Sequence, residues 1–209
     1  DVAAKEACLF ETYADLMELK QGDSGKEKVR RQAGDEAYVL FTSGTTGTPN
    51  LICTPHEPVV HFIKWFIHHY RLSRDCTFVM FAGLTHDPLM REVFTPLALG
   101  GRLAIRKRAS RYDLDGSAKW MAEQGVTDVN ITPSLFMMIA GEKNVYLPDV
   151  RHYYFGGEKL GAAQVEKVRK ISPKAMCSNF YGATETPQVM GYYDIPDDYN
   201  PKKDVLPIS

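Results

Sequence analysis

A stretch rich in hydroxyl groups and glycine, FTSGTTGTPN at Phe41–Asn50, follows an apolar run that is typical of a buried strand. Gly44 and Gly47 permit a tight turn that brings backbone N–H groups close to a ligand. The hydroxyl donors are those of Thr42, Ser43, Thr45 and Thr46. This chemistry favours phosphate binding, although the P-loop of nucleoside triphosphatases is excluded because Thr48, and not lysine, follows Gly47. On composition alone, an ordinary surface turn is an equally good interpretation.

A second loop whose residues could take part in chemistry is SNFYGATETPQV, Ser178–Val189, where a predicted strand is followed by a glycine turn. Glu185 beside the hydroxyl of Thr184 could hold Mg²⁺ that bridges to phosphate oxygens, because magnesium prefers one or two carboxylates together with substrate oxygens. The ring of Tyr181 could stack on a base. The alternative is a helix N-cap followed by an acid in the first helical turn.

The third loop is YYFGGEKLG, Tyr153–Gly161, in which two consecutive glycines follow a predicted strand. Gly156 and Gly157 would let a flat ligand approach the backbone closely. A plain strand-to-helix turn is the alternative. Since ligands gather at the carboxyl ends of strands in open α/β sheets, the three loops are expected to form one site.

The elements that must position these loops alternate between strand and helix patterns. This alternation predicts an α/β fold with a parallel-rich β-sheet and helices on both faces. The predicted strands are Ala37–Thr42, Thr77–Ala82, Arg102–Arg106, Asp128–Thr132, Arg151–Phe155 and Ala175–Tyr181. The predicted helices are Ala7–Leu19, Pro58–Arg71, Pro88–Leu99, Tyr112–Gln124, Ser134–Gly141 and Ala162–Ile171. We expect three regions: an N-terminal helix and connection (1–34), a core with the ligand loops (35–195), and an exposed tail cut short before its next element (196–209).

The amino-acid composition limits which kinds of partner this protein can bind. The 209 residues carry a formal net charge of −1, with 44% hydrophobic and 24% charged residues, as in ordinary globular proteins. No global basic surface favours nucleic acid, and we find no apolar run long enough to span a membrane. Without such a run, and without the apolar segment of a secretory signal at the start, a cytoplasmic setting is the default expectation. The scattered cysteines predict free thiols in a reducing compartment. They are Cys8, Cys53, Cys76 and Cys177.

Taken in order, the three loops resemble the adenylate-forming superfamily, which includes adenylation domains of nonribosomal peptide synthetases, acyl-CoA synthetases and luciferases. TSGTTGTPN resembles the family's phosphate loop, GGEKL its Gly-Gly-Glu-x-Leu segment, and NFYGATE its aromatic-Tyr-Gly-x-Thr-Glu segment. Asn50 departs from the usual lysine, which implies that one phosphate contact is weaker. The resemblance covers Asp35–Val189 and implies part of the large N-terminal domain of these enzymes.

Within that superfamily, GLTHDPLMREVFTPLALGGRLAI at Gly83–Ile105 resembles the aminoadipate-reductase-like and related peptide-synthetase branch. The resemblance implies that Asp87 pairs with the α-ammonium group of an amino acid. It places His86 near the substrate carboxylate and the α-phosphate. A helix N-cap role for Asp87 and a core position for His86 are the respective alternatives.

The same resemblance implies a side-chain pocket with one charged wall, Arg91. If Arg91 points inward, it could bind a side-chain carboxylate and so favour an acidic amino acid such as aminoadipate; if it points outward, it is an ordinary helix-surface charge. The pocket residues implied are Asp87, Pro88, Arg91, Ile131, Tyr153, Phe155, Phe180, Gln188 and Val189.

The implied reaction forms an aminoacyl-adenylate from ATP, with Mg²⁺, and transfers it to a phosphopantetheine thiol on a carrier protein domain. Thr184, Glu185 and His86 are the implied catalytic residues, Glu185 being the metal ligand. Asn179 is expected to bind the adenine amino group, against Tyr181 and the glycine turn. The nucleotide-binding set is Thr42, Ser43, Gly44, Thr45, Thr46, Gly47, Gly156, Gly157, Glu158, Asn179, Tyr181 and Gly182.

Members of this superfamily are much longer than 209 residues and deliver a catalytic lysine from a C-terminal domain. The resemblance therefore implies a place within a larger multidomain synthetase, and we expect these residues alone to bind nucleotide weakly and turn over poorly. Two other functions stay open: an acyl-CoA synthetase-type activation of a non-amino acid, and a non-catalytic nucleotide-binding or interaction module. Asp87 argues against the former, because an unpaired carboxylate beside an apolar tail is costly.

Overall fold

The computed structural model describes residues 32–42, 50–107, 114–199 and 206–208, and residues 33–209 form one compact unit. The predicted helix Ala7–Leu19 lies outside the described residues. The strands are β1 (Glu36–Thr42), β2 (Asn50–Pro55), β3 (Thr77–Val79), β4 (Arg102–Ala104), β5 (Asp128–Ile131), β6 (His152–Phe155), β7 (Met176–Ala183) and β8 (Thr186–Ile195). The helices are α1 (His56–His69), α2 (Pro88–Leu99), α3 (Ser117–Glu123), α4 (Pro133–Ala140) and α5 (Ala162–Ile171).

The main sheet has six strands in the order β4-β3-β5-β6-β7-β8. The first five are parallel to their neighbours, and β8 runs antiparallel to β7 at the edge. The prediction of a parallel-rich α/β sheet is therefore confirmed. The parallel arrangement brings the carboxyl ends of β3, β5, β6 and β7 to one edge of the sheet.

Helices cover both faces of this sheet, as the sequence predicts. Alternate side chains of β6 show the two layers, because successive residues of a strand point to opposite faces. Tyr153 and Phe155 pack with Phe136 and the apolar faces of α3, α4 and α5. Tyr154 packs on the other side with Phe66 of α1, at a ring-centroid distance of 4.6 Å.

The strand that leads into the hydroxyl-rich stretch differs from its prediction. Among the described residues β1 pairs only with β2, in an antiparallel two-stranded sheet, and Leu40 is the one buried residue of β1. The expectation of a buried strand is thus wrong: the apolar side chains of Val39 and Phe41 stay exposed on this small sheet. Thr42 pairs with Asn50 across the hairpin, and residues 43–49 lie outside the described residues.

Three predicted elements are shorter than their patterns indicate: β4, which ends at Ala104 and not at Arg106, and β3 and α3, for which the structure shows the reason. β3 ends at Val79 and not at Ala82, because the backbone N–H groups of Phe81 and Ala82 donate to the Glu92 carboxylate (3.1 and 3.0 Å). α3 begins at Ser117, since Gly116 before it has φ 71°, outside the helical range. The Glu92 side chain shortens β3, and the conformation of Gly116 shortens α3, although the apolar pattern continues in both.

Two strands were missed by the sequence analysis, β2 and β8. β8 contains a proline, a glycine and a charged residue, which all lower strand propensity. It forms because its backbone pairs with β7, and as an edge strand it tolerates the proline.

The tail after β8 is more closely attached than predicted. Arg169 of α5 donates to the carbonyl groups of Pro196 and Tyr199, and Leu206 is buried in the core. The backbone N–H of Leu206 donates to the carbonyl of Leu160 at 3.0 Å. Pro196, Asp197 and Asp198 are exposed, as expected of the tail, but the expectation is wrong for Leu206.

Cys53, Cys76 and Cys177 are free thiols, as predicted, while Cys8 lies outside the described residues. Burial raises the pKa of Cys76 to about 11, so its thiol stays protonated near neutral pH. None of the helices in the described ranges combines the length and apolar character needed to cross a bilayer.

A polar cluster around Asp194 ties α1 to β7 and β8 and gives a testable pH dependence. Burial raises the pKa of Asp194, but hydrogen bonds from Ser178, His69 and Tyr70 outweigh it and hold the pKa below its usual value. Asp194→Asn is expected to lower the free energy of unfolding by about 1 kcal/mol at pH 7. Because the folded pKa is depressed, this difference should shrink as the pH falls below about 4.

Urea unfolding of both proteins at pH 7 and pH 3.5 measures this change. Asp149→Asn, on an exposed turn, is the matched control and should change stability little at either pH. A difference that stays constant between the two pH values would contradict the assignment.

Candidate functional site

A cavity of about 360 Å³ opens at the carboxyl ends of the parallel strands, between the ends of β3, β5, β6 and β7 and the start of α2. This is where ligands bind in open α/β sheets. The structure brings many of the predicted site residues together in its wall: His86, Asp87, Pro88, Arg91, Ile131, Gly156, Gly157, Phe180, Gly182 and Gln188.

Three predicted pocket residues do not line this cavity. Tyr153 and Phe155 point to the opposite face of β6, and the Tyr153 hydroxyl lies 3.0 Å from Ser172 Oγ. Val189 packs against the layer that contains α1. Their assignment as pocket walls is wrong in this structure, because the alternation of side chains along a strand sends these residues away from the cavity.

Asp87 stands immediately before α2 in a helical conformation, with φ −58° and ψ −32°, and makes no capping hydrogen bond. The N-cap alternative is therefore wrong. Burial raises the pKa of this carboxyl, and the positive charge of Arg91 only partly offsets the rise. The ionised carboxylate would thus gain from a cation bound in the cavity.

Arg91 points inward and is 5% exposed, so the alternative of a helix-surface charge is wrong. Its Nε donates to Asn130 Oδ1 at 2.7 Å, and Nη1 donates to the Gln188 carbonyl at 3.3 Å. Its guanidinium carbon lies 5.7 Å from the centre of the Phe180 ring. Burial lowers the pKa of Arg91, against the opposing effect of Asp87.

Gln188 joins α2 to β8 across the cavity. Its Nε2 donates to the Asp87 carbonyl at 3.0 Å. The backbone of Gln188 has φ 73°, a value that residues other than glycine rarely adopt. Gly182 on β7 lies against this turn of the chain. A Cβ on Gly182 would lie 2.9 Å from the Gln188 carbonyl oxygen, so only glycine fits at this position.

His86 lies exposed at the cavity wall, with its Nδ1 3.4 Å from the Thr85 hydroxyl. The alternative of a core histidine is wrong. An exposed imidazole beside the cavity is free to meet an anionic ligand.

The loop after β6 follows the predicted glycine turn. Gly157 has φ 80°, a conformation that glycine adopts without strain. Glu158 belongs to this loop and lies next to the first turn of α4. Its carboxylate accepts a hydrogen bond from the backbone N–H of Ser134 at 2.9 Å. The structure therefore gives Glu158 a role in fixing a helix start beside the cavity.

On β7, the side-chain amide of Asn179 is buried and donates to the Pro207 carbonyl at 3.0 Å. Tyr181 is 53% exposed and offers a free ring face. Thr184 and Glu185 form the turn between β7 and β8, and a strand follows them. The alternative that they begin a helix is wrong.

Sequence reasoning missed two buried residues of the wall, Glu92 and Asn130. Asn130 interrupts the apolar strand pattern Val129–Ile131, and a polar residue inside a buried strand is the signal that marks it. Glu92 lacks such a signal, since an acid within an amphipathic helix is ordinary.

No three His, Cys, Asp or Glu side chains converge on a point within the described ranges. Glu185 is an exposed carboxylate beside a hydroxyl at the β7–β8 turn. This donor set fits a hard cation that takes its remaining oxygen ligands from a bound phosphate and water.

The parallel sheet, the glycine turns and the strand-end cavity define an open α/β ligand-binding domain. The sequence matches the family described as "AMP-binding enzyme" over residues 3–207. The chain therefore belongs to the AMP-binding enzyme family, which confirms the resemblance to adenylate-forming enzymes.

The chain is also similar to individual proteins of known name. The chain is 31% identical over 158 residues to the large subunit of L-2-aminoadipate reductase from Penicillium chrysogenum, covering 75% of this chain and 11% of that protein. It is 31% identical over 178 residues to bacitracin synthase 2 from Bacillus licheniformis, covering 85% of this chain and 7% of that one. The chain thus spans about a tenth of these relatives.

A solved structure with the same fold is the adenylation domain AlmE from Vibrio cholerae, in complex with glycyl-adenosine-5'-phosphate. Its TM-score is 0.77 at 20% identity, over 86% of this chain and 34% of that one. A second is a nonribosomal peptide synthetase with a TM-score of 0.81 at 21% identity, over 90% of this chain and 20% of that one.

Proposed function

We propose that the chain activates an amino acid with ATP, as an aminoacyl-adenylate that is then loaded onto the phosphopantetheine thiol of a carrier protein domain. The observation that carries the proposal is the half-buried Asp87 carboxylate in the cavity wall, which makes no capping hydrogen bond. A carboxylate in this setting strongly favours a bound ammonium group. Membership of the AMP-binding enzyme family supports the adenylation chemistry.

In the proposed reaction, a carboxylate oxygen of the amino acid attacks the α-phosphorus of ATP. The bond from that phosphorus to the bridging oxygen breaks, and pyrophosphate leaves with the electron pair. Asp87 holds the α-ammonium group, and His86 lies beside the reacting carboxylate and α-phosphate. Catalysis of this kind depends on positioning and charge neutralisation. In the second half-reaction, the carrier thiolate attacks the acyl carbon and AMP leaves.

The nucleotide lies, in this proposal, along the loops that follow β6 and β7. Tyr181 offers its exposed ring to adenine beside Gly156 and Gly157. Thr184 holds the α-phosphate, and the hydroxyl-rich loop from Ser43 to Gly47 holds the β- and γ-phosphates. Glu185 would hold Mg²⁺, which neutralises phosphate charge when bound.

The structure bears on two of the proposed contacts. The Asn179 amide nitrogen donates to the Pro207 carbonyl, which orients the side chain and leaves its oxygen to accept from the adenine amino group. Glu158 accepts a hydrogen bond from the Ser134 backbone N–H, and in this proposal it supports the nucleotide loop from the start of α4.

We further propose that the activity belongs to a larger cytoplasmic multidomain synthetase, in which a C-terminal domain supplies the catalytic lysine. The small share of the relatives that this chain covers supports this view. The division into 1–34, 35–195 and 196–209 is part of the same proposal. These residues alone are expected to bind nucleotide weakly and turn over poorly.

An acyl-CoA synthetase-type reaction is the second candidate, because it would use the same nucleotide loops. The structure disfavours it: a substrate without an amino group would leave the half-buried Asp87 carboxylate without a cation.

ATP–pyrophosphate exchange by the full-length protein, with a panel of amino acids and matched acids that lack the α-amino group, tests the proposal. We expect exchange only with amino acids. Exchange with deaminated acids alone would move the protein to the acyl-activating class, and no exchange with any acid would favour a non-catalytic module.

A further inference from the structure

Strand β8 leaves its regular pairing with β7 where it passes the cavity. Between two paired positions, β7 advances by one residue, Gly182, while β8 advances by four, residues 187–190. A bulge of this kind bends a strand and turns a side chain in a new direction, and bulges are frequent beside active sites. Here the bulge directs the side chain of Gln188 to α2.

Three contacts fix Gln188 in this bulge. Its backbone φ of 73° is a conformation that a residue other than glycine keeps only where its surroundings hold it. Its carbonyl oxygen accepts a hydrogen bond from Nη1 of the buried Arg91 at 3.3 Å. Gly182 leaves room for that oxygen, which a Cβ would approach to 2.9 Å. The side-chain Nε2 donates to the Asp87 carbonyl at 3.0 Å.

The contact with Asp87 restrains the residue that carries the proposed ammonium-binding carboxylate. The Asp87 carbonyl also accepts the backbone N–H of Met90 at 3.0 Å, so both lone pairs of its oxygen are used. Residues 83–86 before it are exposed, and Asp87 itself makes no capping hydrogen bond. An exposed segment has little packing to hold it in place. The Gln188 amide therefore ties the end of this segment to the sheet.

Gln188 also connects the two halves of the proposed site. It follows Glu185 by three residues on the strand that leaves the β7–β8 turn, and this turn is the proposed site of the α-phosphate and Mg²⁺. Adenylate formation needs a carboxylate oxygen of the amino acid to lie in line with the α-phosphorus, and small displacements of either group lower the rate. The contact from this strand to Asp87 sets the separation of the two groups.

We infer that Gln188 is a positioning residue for adenylate formation. Its side-chain amide holds Asp87 at a fixed place relative to the β7–β8 turn, and Arg91 in turn holds the Gln188 backbone. In this role Gln188 acts through Asp87 and needs no contact with the substrate. The inference rests on the proposed amino-acid activation, and it is independent of which amino-acid side chain fills the cavity.

The first test is Gln188→Asn in the full-length protein, assayed by ATP–pyrophosphate exchange with the amino acid that gives the highest rate. Asparagine tolerates a positive φ better than glutamine, but its side chain is one methylene shorter and withdraws the amide from the Asp87 carbonyl. We expect kcat/KM for the amino acid to fall about 10-fold, with KM for ATP unchanged and thermal stability undiminished. Unchanged kcat/KM would overturn the inference, and so would equal losses toward the amino acid and ATP.

The second test is Gln188→Met, which keeps the length of the side chain and removes both polar atoms of the amide. We expect the same loss of kcat/KM, and a double-mutant cycle with Asp87→Ala tests its route. Because Gln188 acts through the Asp87 carboxylate, Gln188→Met should change kcat/KM by less than about twofold once Asp87 is alanine. A full loss in that background would overturn the positioning role.

Gln164→Met is the matched control. Gln164 also holds a backbone group beside the start of a helix, since its Oε1 accepts from the Gly161 N–H at 3.2 Å, but it lies outside the described cavity wall. We expect kcat/KM for the amino acid to stay unchanged, and a loss equal to that of Gln188→Met would overturn the inference. No exchange by the unaltered protein with any amino acid would defeat the proposed activation itself, whereas full activity of both Gln188 variants would reject only the positioning role.

Discussion

Replacing Asp87 with alanine is expected to lower kcat/KM for amino-acid-dependent ATP–pyrophosphate exchange by about 100-fold or more. The carboxylate lies half-buried at the start of α2, where burial raises its pKa and no capping bond engages it. A substrate ammonium group that loses this partner keeps its charge in a cavity with a buried guanidinium in the wall. The effect should fall mainly on KM if the contact is made equally in the ground state and the transition state.

Two further variants sharpen this test. Asp87→Asn keeps the shape but removes the charge, and should lose most of the same activity. Asp149→Ala, on the exposed turn before β6, lies at the opposite edge of the sheet from the cavity and should leave kcat/KM unchanged. Full activity of Asp87→Ala with amino acids would refute the ammonium-binding role.

The second large effect concerns Glu92, whose replacement by alanine is expected to lower the free energy of unfolding by about 2–4 kcal/mol. Glu92 is 1% exposed and accepts hydrogen bonds from the backbone N–H groups of Phe81 and Ala82. Removing the carboxylate leaves two backbone donors without this partner in the connection from β3 to α2. Since that connection leads to His86 and Asp87, weaker substrate binding should accompany the loss of stability.

Equilibrium urea unfolding, followed by circular dichroism, measures the change. Glu123→Ala on α3 is the matched control, because its pair with Lys119 is exposed and should contribute no more than about 0.5 kcal/mol. Similar stability losses in the two variants would show that the Glu92 hydrogen bonds contribute little.

Much of the site was predictable because its backbone features are local. The glycine turn at Gly156–Gly157 and the start of α2 at Pro88 follow from residue types that permit few other conformations. The alternation of elements predicted the parallel sheet, and the parallel sheet brings the strand ends together. For this reason His86, Asp87 and Arg91 were correctly expected to lie near the glycine turn.

Other features were not predictable, because they depend on contacts between distant parts of the chain. The early end of β3 reflects hydrogen bonds to a carboxylate about ten residues away, and β8 forms only against β7. The pocket assignment of Tyr153 and Phe155 failed for a related reason. A buried strand that is apolar on both faces shows no alternation in its sequence, so it cannot reveal which residues face the cavity.

The sequence by itself determined the family, the α/β architecture and the positions of the loops, since these depend on glycine, proline and the apolar periodicity. Only the tertiary structure decided that Arg91 points inward and that Asn130 and Gln188 each bury an atom without a hydrogen-bond partner in the described part of the chain. The orientation of a charged helix residue depends on the partners that packing brings to it. Here those partners come from β5 and β8, about 40 and 100 residues further along the chain.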